Sequence, residues 1–348
     1  MNTASEIDRA QWRGVDIKER QRYAKDVMFV AHPKAAALLS AIIQRRQLHA
    51  GANLGRGILI TAPPDGGKTR FIKYLATLIP DLTIRTPEFP DPSEPFEDRT
   101  VKEFVHQTVP SPCSLLTCAN GVLQSIGHPS WDGSKTKDQV RLAKSQLGIA
   151  GTKLFAVDNV QDIPEQKGPL GTSRVGNFYR DLIEESRMIV LFFGTDEAEI
   201  VVTANKQLRK RVPGKLQLGG YDVSTVDGMA LVLRVLDMID DAFPLAKKSG
   251  LGVGRLGKAL ACASDGKVGA IVDILISSLP FAFADGREHL TMKDVESGYM
   301  AQYLDYAAAA NPFASDFQYR RLIRPGEPHF TAVDDDNTRR RKRKSSAT

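Results

Sequence analysis

Lys68 and Thr69 stand directly after two glycines in the stretch ILITAPPDGGKTRF, from Ile58 to Phe71. A lysine and a hydroxyl residue in that order, behind a glycine turn and opening a helix, are groups that grip phosphate. Backbone amides around Gly66 and Gly67 cradle it, Lys68 reaches the β and γ phosphates, and the Thr69 hydroxyl holds Mg²⁺. The matching pattern is GxxxxGK[ST]. Here it opens on Ala62, which can take the place of the first glycine if that position keeps a negative φ. The loop assigned to a nucleotide is therefore Pro64, Asp65, Gly66, Gly67, Lys68 and Thr69. The competing reading is a chance glycine turn before an ordinary helix, and it must account for a GKT triplet set directly behind a buried strand.

This chemistry needs an acidic partner at the end of another strand. LFAVDN supplies Asp158, suited to hold Mg²⁺ through water together with Thr69, but Asn159 follows where a glutamate is usual. An amide orients water and cannot take its proton. Hydrolysis is then expected to be slow unless Asp162 or Glu165 substitutes as the base. A turn residue at a strand end is the plainer reading of Asp158. Thr195, at the tip of VLFFGTD, is placed to sense the γ-phosphate; it also suits the N-cap of the segment starting at Asp196, and the two roles are compatible. Arg209, Lys210 and Arg211 close the next helix. There they stabilise the helix dipole by less than about 1 kcal/mol, or Arg211 acts as an arginine finger on a neighbouring subunit's nucleotide.

These residues must be carried by a particular set of elements. AAALLSAIIQRRQLH has Ala36, Leu39, Ile42 and Ile43 at helical spacing, and GILITA reads as a short strand buried on both faces. KTRFIKYLATLI predicts a helix stopped by Pro80, followed by a Pro- and acid-rich surface insertion over Thr86 to Thr100. A second strand is expected at VKEFVHQTV, helices at Ser114 to Ile126 and along GSKTKDQVRLAKSQLG, and a third strand at Thr152 to Asp158. A loop over Lys167 to Arg174 leads into the helix NFYRDLIEES. MIVLFFGTD then forms a fourth strand, a helix runs through KQLRKR, and KLQL makes a fifth strand. Strands alternating with helices indicate an α/β fold with a doubly wound parallel sheet. Beyond Val223 every segment reads as helix, so a small helical domain follows, and no internal repeat is visible.

Composition narrows the setting. The chain has 348 residues, 42% of them hydrophobic, enough for a sizeable core and two domains. Its three cysteines, Cys113, Cys118 and Cys262, make neither a disulfide framework nor a CxxC zinc pair, although the first two can share a helix. No apolar run reaches the ~18 residues that cross a bilayer, and the start is too polar for a signal peptide. The expectation is a cytosolic protein with no membrane partner. The run RRRKRK at Arg339 to Lys344 equals the whole net charge of +6. It is either a solvated end or an electrostatic arm for nucleic acid, and Asp334, Asp335 and Asp336 compete with phosphate for it. The six histidines, His32, His49, His106, His128, His289 and His329, show no ligand spacing.

Taken in order, RQRYAKDVMFVAHPKAAAL, ILITAPPDGGKT, the strand with VPSP, LFAVDNVQD, VLFFGTDEAEI and the helix ending QLRKRV resemble the TniB/TnsC group of transposon AAA+ ATPases, which are similar to the MuB target-selection protein. The likeness runs from about Arg20 to Tyr303. It implies an AAA+ P-loop sheet of strand order 5-1-4-3-2 with a small C-terminal helical lid, and ATP and Mg²⁺ as cofactors. It also implies a homo-oligomer, ring or filament, on double-stranded DNA, with a DDE transposase and a target-selection protein as partners, in a bacterial cytoplasm. On that reading residues 1–32 are an N-terminal arm, 33–222 the nucleotide-binding domain, 223–306 the lid and 307–348 an extended basic tail. Lys68 and Thr69 match the Walker A pair, Asp158 the first Walker B acid, Thr195 the sensor-1 position and Arg211 the basic residue following QL. Asn159 departs from the family's glutamate. Gly269 or Val268 falls where many AAA+ proteins carry a sensor-2 arginine, with Lys267 as its replacement. Lys135, Thr136 and Lys137, at the start of a helix after the second strand, correspond to the family's DNA-backbone contacts; a capped, solvated helix start is their plainer reading. Trp12 and Trp131 read as packing or partner contacts.

Three functions compete: a nucleotide-switched DNA-binding regulator of transposition, an active motor or loader of the replication-initiator kind, and a nucleotide-binding scaffold without DNA. Asn159 counts against the second, the basic run and the motif order against the third. A general base contributes about 10²–10⁴-fold to hydrolysis. Asn159→Glu is therefore expected to raise ATP turnover and shorten the life of any ATP-dependent complex, read by phosphate release. Brisk wild-type turnover that Asn159→Glu leaves unchanged would hand the base role to Asp162 or Glu165.

Overall fold

RGILIT, rich in branched residues, forms β1 (Arg56–Thr61), buried from its second residue onward, as a strand covered on both faces must be. The computed structural model describes residues 9–49, 55–86, 97–166 and 168–331, and these divide into two units, residues 33–218 and residues 9–32 with 219–331. In the first unit β1 joins β4 (Phe104–Thr108), β5 (Leu154–Asp158), β6 (Ile189–Gly194) and β7 (Gly214–Gln217) in a five-stranded parallel sheet. Its order is β4-β5-β6-β1-β7. Counting only these strands along the chain, this is the expected 5-1-4-3-2. The register sets Thr61 opposite Gly194 and Thr108 opposite Asp158, so the C-terminal ends of four strands share one edge, where parallel sheets of this kind present ligand sites.

One face of the sheet, with Leu59, Val105, Phe155, Val157, Val190 and Phe192, packs into a core shared with the helices Leu115–Ile126, Thr136–Ile149 and Pro169–Ser186. Side chains alternate between faces along a strand, and Phe193 meets Phe71 of the helix Lys68–Leu78 with ring centroids 6.1 Å apart. Gly57 leaves room for Val212, the residue after the helix Lys206–Arg211, since a Cβ there would lie 2.6 Å from Val212 Cγ2.

Several local expectations change. β2 (Leu82–Thr86) and β3 (Glu97–Val101) form an antiparallel pair outside the main sheet, flanking the expected insertion, most of which lies outside the described residues, as does the run Arg339–Lys344. The stretch read as a loop before NFYRDLIEES is already helix from Pro169, whose fixed φ suits a first helical position and whose missing N–H would have no helical partner there. The helix through KQLRKR is two, Glu199–Thr203 and Lys206–Arg211. Asn205 separates them and caps the second, accepting from the Gln207 and Leu208 amides. Cys113 and Cys118 do not share a helix: Ser114 caps Leu115–Ile126 through a reciprocal bond with Thr117, leaving Cys113 outside.

The second unit is helical, with Val226–Ala242, Gly254–Ala263, Val268–Ala284, Met292–Tyr303 and Asp305–Ala309. Residues 9–32 belong to it: Ala24 and Met28 are in its core. Pro280 lies inside Val268–Ala284 and deprives the Ile276 carbonyl of its helical donor; Gln21 Nε2 approaches that carbonyl at 3.5 Å. Arg20 is fully buried, stacks on the Phe283 ring at 4.5 Å, and donates to the Val15, Trp12 and Pro244 carbonyls and to Glu288. Residues 307–331, the described part of the expected extended tail, continue as the short helix and as irregular backbone packed on the same core through Ala310, Phe313 and Leu322. No single helix among the described residues is long and apolar enough to cross a membrane.

Removing Arg20 leaves a cavity beneath Phe283, takes the donor from the Trp12, Val15 and Pro244 carbonyls, and unpairs the partly exposed Glu288. Arg20→Ala is expected to destabilise this helical unit by about 3 kcal/mol or more, read as a lowered urea midpoint for its transition.

Candidate functional site

The loop between β1 and the helix Lys68–Leu78 is built from residues able to turn sharply. Asp65 and Gly67 take left-handed backbone, φ 57° and 87°, and Gly66 N donates to Pro63 O at 3.0 Å. Ala62 keeps out of the left-handed region and its amide extends the ladder to Gly194 O, 2.9 Å, which is the condition under which alanine replaces the first glycine. Gly66 sits inside the turn: a Cβ there would be 2.8 Å from both Ala62 Cβ and Pro63 O. Gly67 occupies the N-cap of the helix, and no side chain caps its first amides. Such a helix end receives anions.

Lys68 lies across the loop, its Nζ donating to the carbonyls of Ala62 and Pro63 at 3.0 Å each. Burial lowers its pKa below the ordinary lysine value, opposed by the charges of Asp158 and Asp65. Thr69 Oγ1 donates to Asp158 Oδ2 at 2.9 Å, and Asp158 Oδ1 accepts from the Asn159 amide at 2.9 Å. The aspartate is almost closed to solvent. A hydroxyl and a carboxylate oxygen in contact are hard donors that suit Mg²⁺. Two protein oxygens are as many as that ion takes where phosphate and water complete its shell. Among the described residues no group of three His, Cys, Asp or Glu could hold a metal by itself.

Asn159 has φ 58°, a left-handed conformation that asparagine adopts more readily than glutamate. Asp162 is half-buried, and desolvation raises its carboxyl pKa; Gln161 opposes this and the Asp158 charge adds to it. Glu165 is exposed. Thr195 stands at the N-cap position of the 3-10 turn Asp196–Ala198 but makes no capping bond; its hydroxyl donates to Glu197. The structure thus gathers Gly66, Gly67, Lys68, Thr69, Asp158, Asn159 and Thr195 along one sheet edge, with Pro64 and Asp65 exposed on the loop.

Other expected residues lie apart from this group. Arg211 is engaged within its own chain, Nε donating to Glu184 at 2.9 Å, whereas Arg209 is only 4.0 Å from Glu199 and Lys210 is exposed. Lys135 and Lys137 are exposed and Thr136 half-buried at the start of Thr136–Ile149, and no side chain caps that helix. Lys267 pairs with Asp265 at 3.6 Å, beside a two-pronged contact from Arg321. Trp12 is buried against Tyr23, while Trp131 is exposed.

Two residues that carry no sequence signal adjoin the site. His106, on β4, has a buried Nε2 without a hydrogen-bond partner; desolvation lowers its pKa and Asp158 opposes this. Gln161 accepts from the Thr195 amide at 3.2 Å and donates to Asp162 Oδ1 at 3.0 Å.

No protein-family model matches the chain, and no curated protein matches it in sequence. Solved structures do match in fold. The ORC2 protein of Aeropyrum pernix, in its ADPNP and ADP complexes, is 15% identical with a TM-score of 0.54 over 82% of this chain and 72% of its own. The ORC1 protein of the same organism in complex with DNA is 13% identical with a TM-score of 0.52 over 88% and 73%. Cdc6p of Pyrobaculum aerophilum is 16% identical with a TM-score of 0.50 over 82% and 70%. At these identities the likeness establishes the fold, which is the AAA+ fold of the ORC/Cdc6 type.

A Cβ at residue 66 must displace backbone. Gly66→Ala is expected to weaken binding of an ATP analogue at least tenfold while leaving the thermal transition within a few degrees of wild type, as titration calorimetry and a melting curve would show.

Proposed function

We propose that the protein is a DNA-associated AAA+ ATPase that binds ATP with Mg²⁺ in the loop Pro64 to Thr69 and works as a nucleotide-switched oligomer on double-stranded DNA. The observation that carries this reading is the 2.9 Å contact between Thr69 and the buried Asp158, which sets two oxygen donors side by side at the mouth of a phosphate-binding turn. When bound, Mg²⁺ would neutralise charge on the outer phosphates. Thr69 and Asp158 would hold that ion, the amides after Gly66 would take the phosphate oxygens, and Lys68 would exchange its loop carbonyls for phosphate. Asn159 would orient water without accepting its proton, so the chain holds ATP longer than it hydrolyses it.

The finer role we propose is that of a transposition regulator which assembles on target DNA and recruits or activates a DDE transposase. The motif order and Asn159 support it. A replication-initiator or loader role has its own support in the fold likeness to ORC and Cdc6 proteins, one of them solved with DNA. Turnover separates the two: an initiator or loader hydrolyses ATP within its working cycle, whereas a regulator of this kind stays on DNA until a partner releases it. Lys135, Thr136 and Lys137 are proposed as backbone contacts to DNA, positioning without reading sequence. Arg209 and Lys210, exposed beside the engaged Arg211, join it as candidates for reaching a neighbouring subunit.

DNA binding measured with ADPNP, with ADP and without nucleotide, across salt concentrations, tests the proposal. Wild type is expected to bind duplex DNA more tightly with ADPNP, and Lys68→Ala to lose that dependence. Wild-type affinity and a full nucleotide response in Lys68→Ala would remove the loop from the mechanism; DNA binding indifferent to nucleotide would remove the switch.

A further inference from the structure

We infer that Gln161 is the positioning residue through which this site distinguishes a nucleoside triphosphate from a diphosphate, an inference that rests on the nucleotide reading above. Gln161 lies in the turn that begins at Asp158. One end of its amide accepts from the backbone N–H of Thr195 at 3.2 Å, and the other donates to Asp162 Oδ1 at 3.0 Å. A single side chain therefore ties the tip of β6 to the turn that leaves β5. Backbone reinforces the tie, with Val160 N donating to Phe193 O at 3.0 Å.

The approach is close enough to constrain the sequence on both sides. A Cβ on Gly194 would lie 2.8 Å from Gln161 Oε1 and 2.6 Å from Ala198 Cβ, so only glycine admits the Gln161 side chain here. The contact also selects the amide. It must accept from one partner and donate to the other, which a carboxylate cannot do and a lysine or arginine cannot do either. A carboxylate would in addition face Asp162.

A polar group can report a third phosphate only if its position is fixed relative to the residues that hold the ion. The Thr195 side chain caps none of the amides of the 3-10 turn it opens, and its hydroxyl is engaged with the exposed Glu197 of that turn. Gln161 supplies a reference to the ion-holding residues, holding the Thr195 backbone to the same turn that carries Asp158 and Asn159. Movement of Thr195 toward a third phosphate is thereby transmitted to Asp162. Neither end of Gln161 needs to touch the nucleotide.

The test is titration of the full chain, wild type, Gln161→Ala and Gln161→Glu, with ADP and with ADPNP in the presence of Mg²⁺, by calorimetry. Wild type is expected to prefer ADPNP. Both variants should bind ADP within about twofold of wild type, and their preference for ADPNP should fall by about tenfold, the scale of one well-placed hydrogen bond. Unchanged ADP affinity shows that the loop is intact, so a selective loss marks positioning and not unfolding. If Gln161→Ala loses all binding, Gln161→Glu decides, because it keeps the acceptor for Thr195 while replacing the donor to Asp162 with a carboxylate that faces it. An unchanged preference in the deciding variant, parallel weakening of ADP and ADPNP, or a wild type that binds both equally would overturn this inference and leave the nucleotide site standing. A wild type that binds neither would overturn the nucleotide reading itself.

Discussion

The candidate site depends on a register. Because β1 and β6 run in parallel with Thr61 opposite Gly194, and β4 and β5 with Thr108 opposite Asp158, the chain leaves the sheet at a common edge from four strands distant in sequence. Shifting a strand by one residue would turn its side chains to the opposite face. Asp158 would then leave Thr69, and the edge would lose its pair of oxygen donors. The continuous apolar character of β5 and β6, buried at every position, therefore supports the chemistry at their tips as much as it supports the core.

At that edge the backbone is bent where side chains meet. Asp65, Gly67 and Asn159 all adopt left-handed conformations, and non-glycine residues in that region recur at functional sites because surrounding structure holds them there. Asn159 links two properties: its side chain cannot serve as a base, and its backbone conformation is one that asparagine tolerates well. On the function proposed above, such a site would favour retention of a nucleotide over its turnover. Lys68 fits the same pattern, since its ammonium is stored on loop carbonyls and is available to a stronger anionic partner.

Much of this was legible in sequence because it is local. A buried strand, a glycine turn and a GKT triplet are adjacent in the chain, and LFAVD ends its strand on the acid that the triplet requires. The parallel sheet follows from the same alternation of strand and helix. What escaped is non-local or locally ambiguous. Gln161 gains its role from the missing Cβ of Gly194 on another strand, and Arg211 finds its partner Glu184 on a separate helix. β2 and β3 are short and polar, without the apolar run that marks the sheet strands. Pro169 and its neighbours have the composition of a loop, yet Pro is well placed at a helix start, and composition could not distinguish the two.

The helical unit has a consequence for how the chain folds. Its core needs Ala24 and Met28 together with residues beyond 219, and Arg20 meets Glu288 across 268 positions of sequence. During synthesis, which runs from the N-terminus, residues 9–32 emerge first and must wait for their partners, while the intervening 33–218 segment has its own sheet and core to close. The sheet unit is continuous in sequence and can close on its own residues, whereas the helical unit cannot be completed until residues beyond 219 have been made. Gln21 supplies a donor to the proline-interrupted helix and Arg20 stacks on its Phe283, so docking of the N-terminal strap also completes the surroundings of Val268–Ala284. Contacts this distant are slow to form, and the same strap is the element that limited proteolysis would release first from an incompletely folded chain.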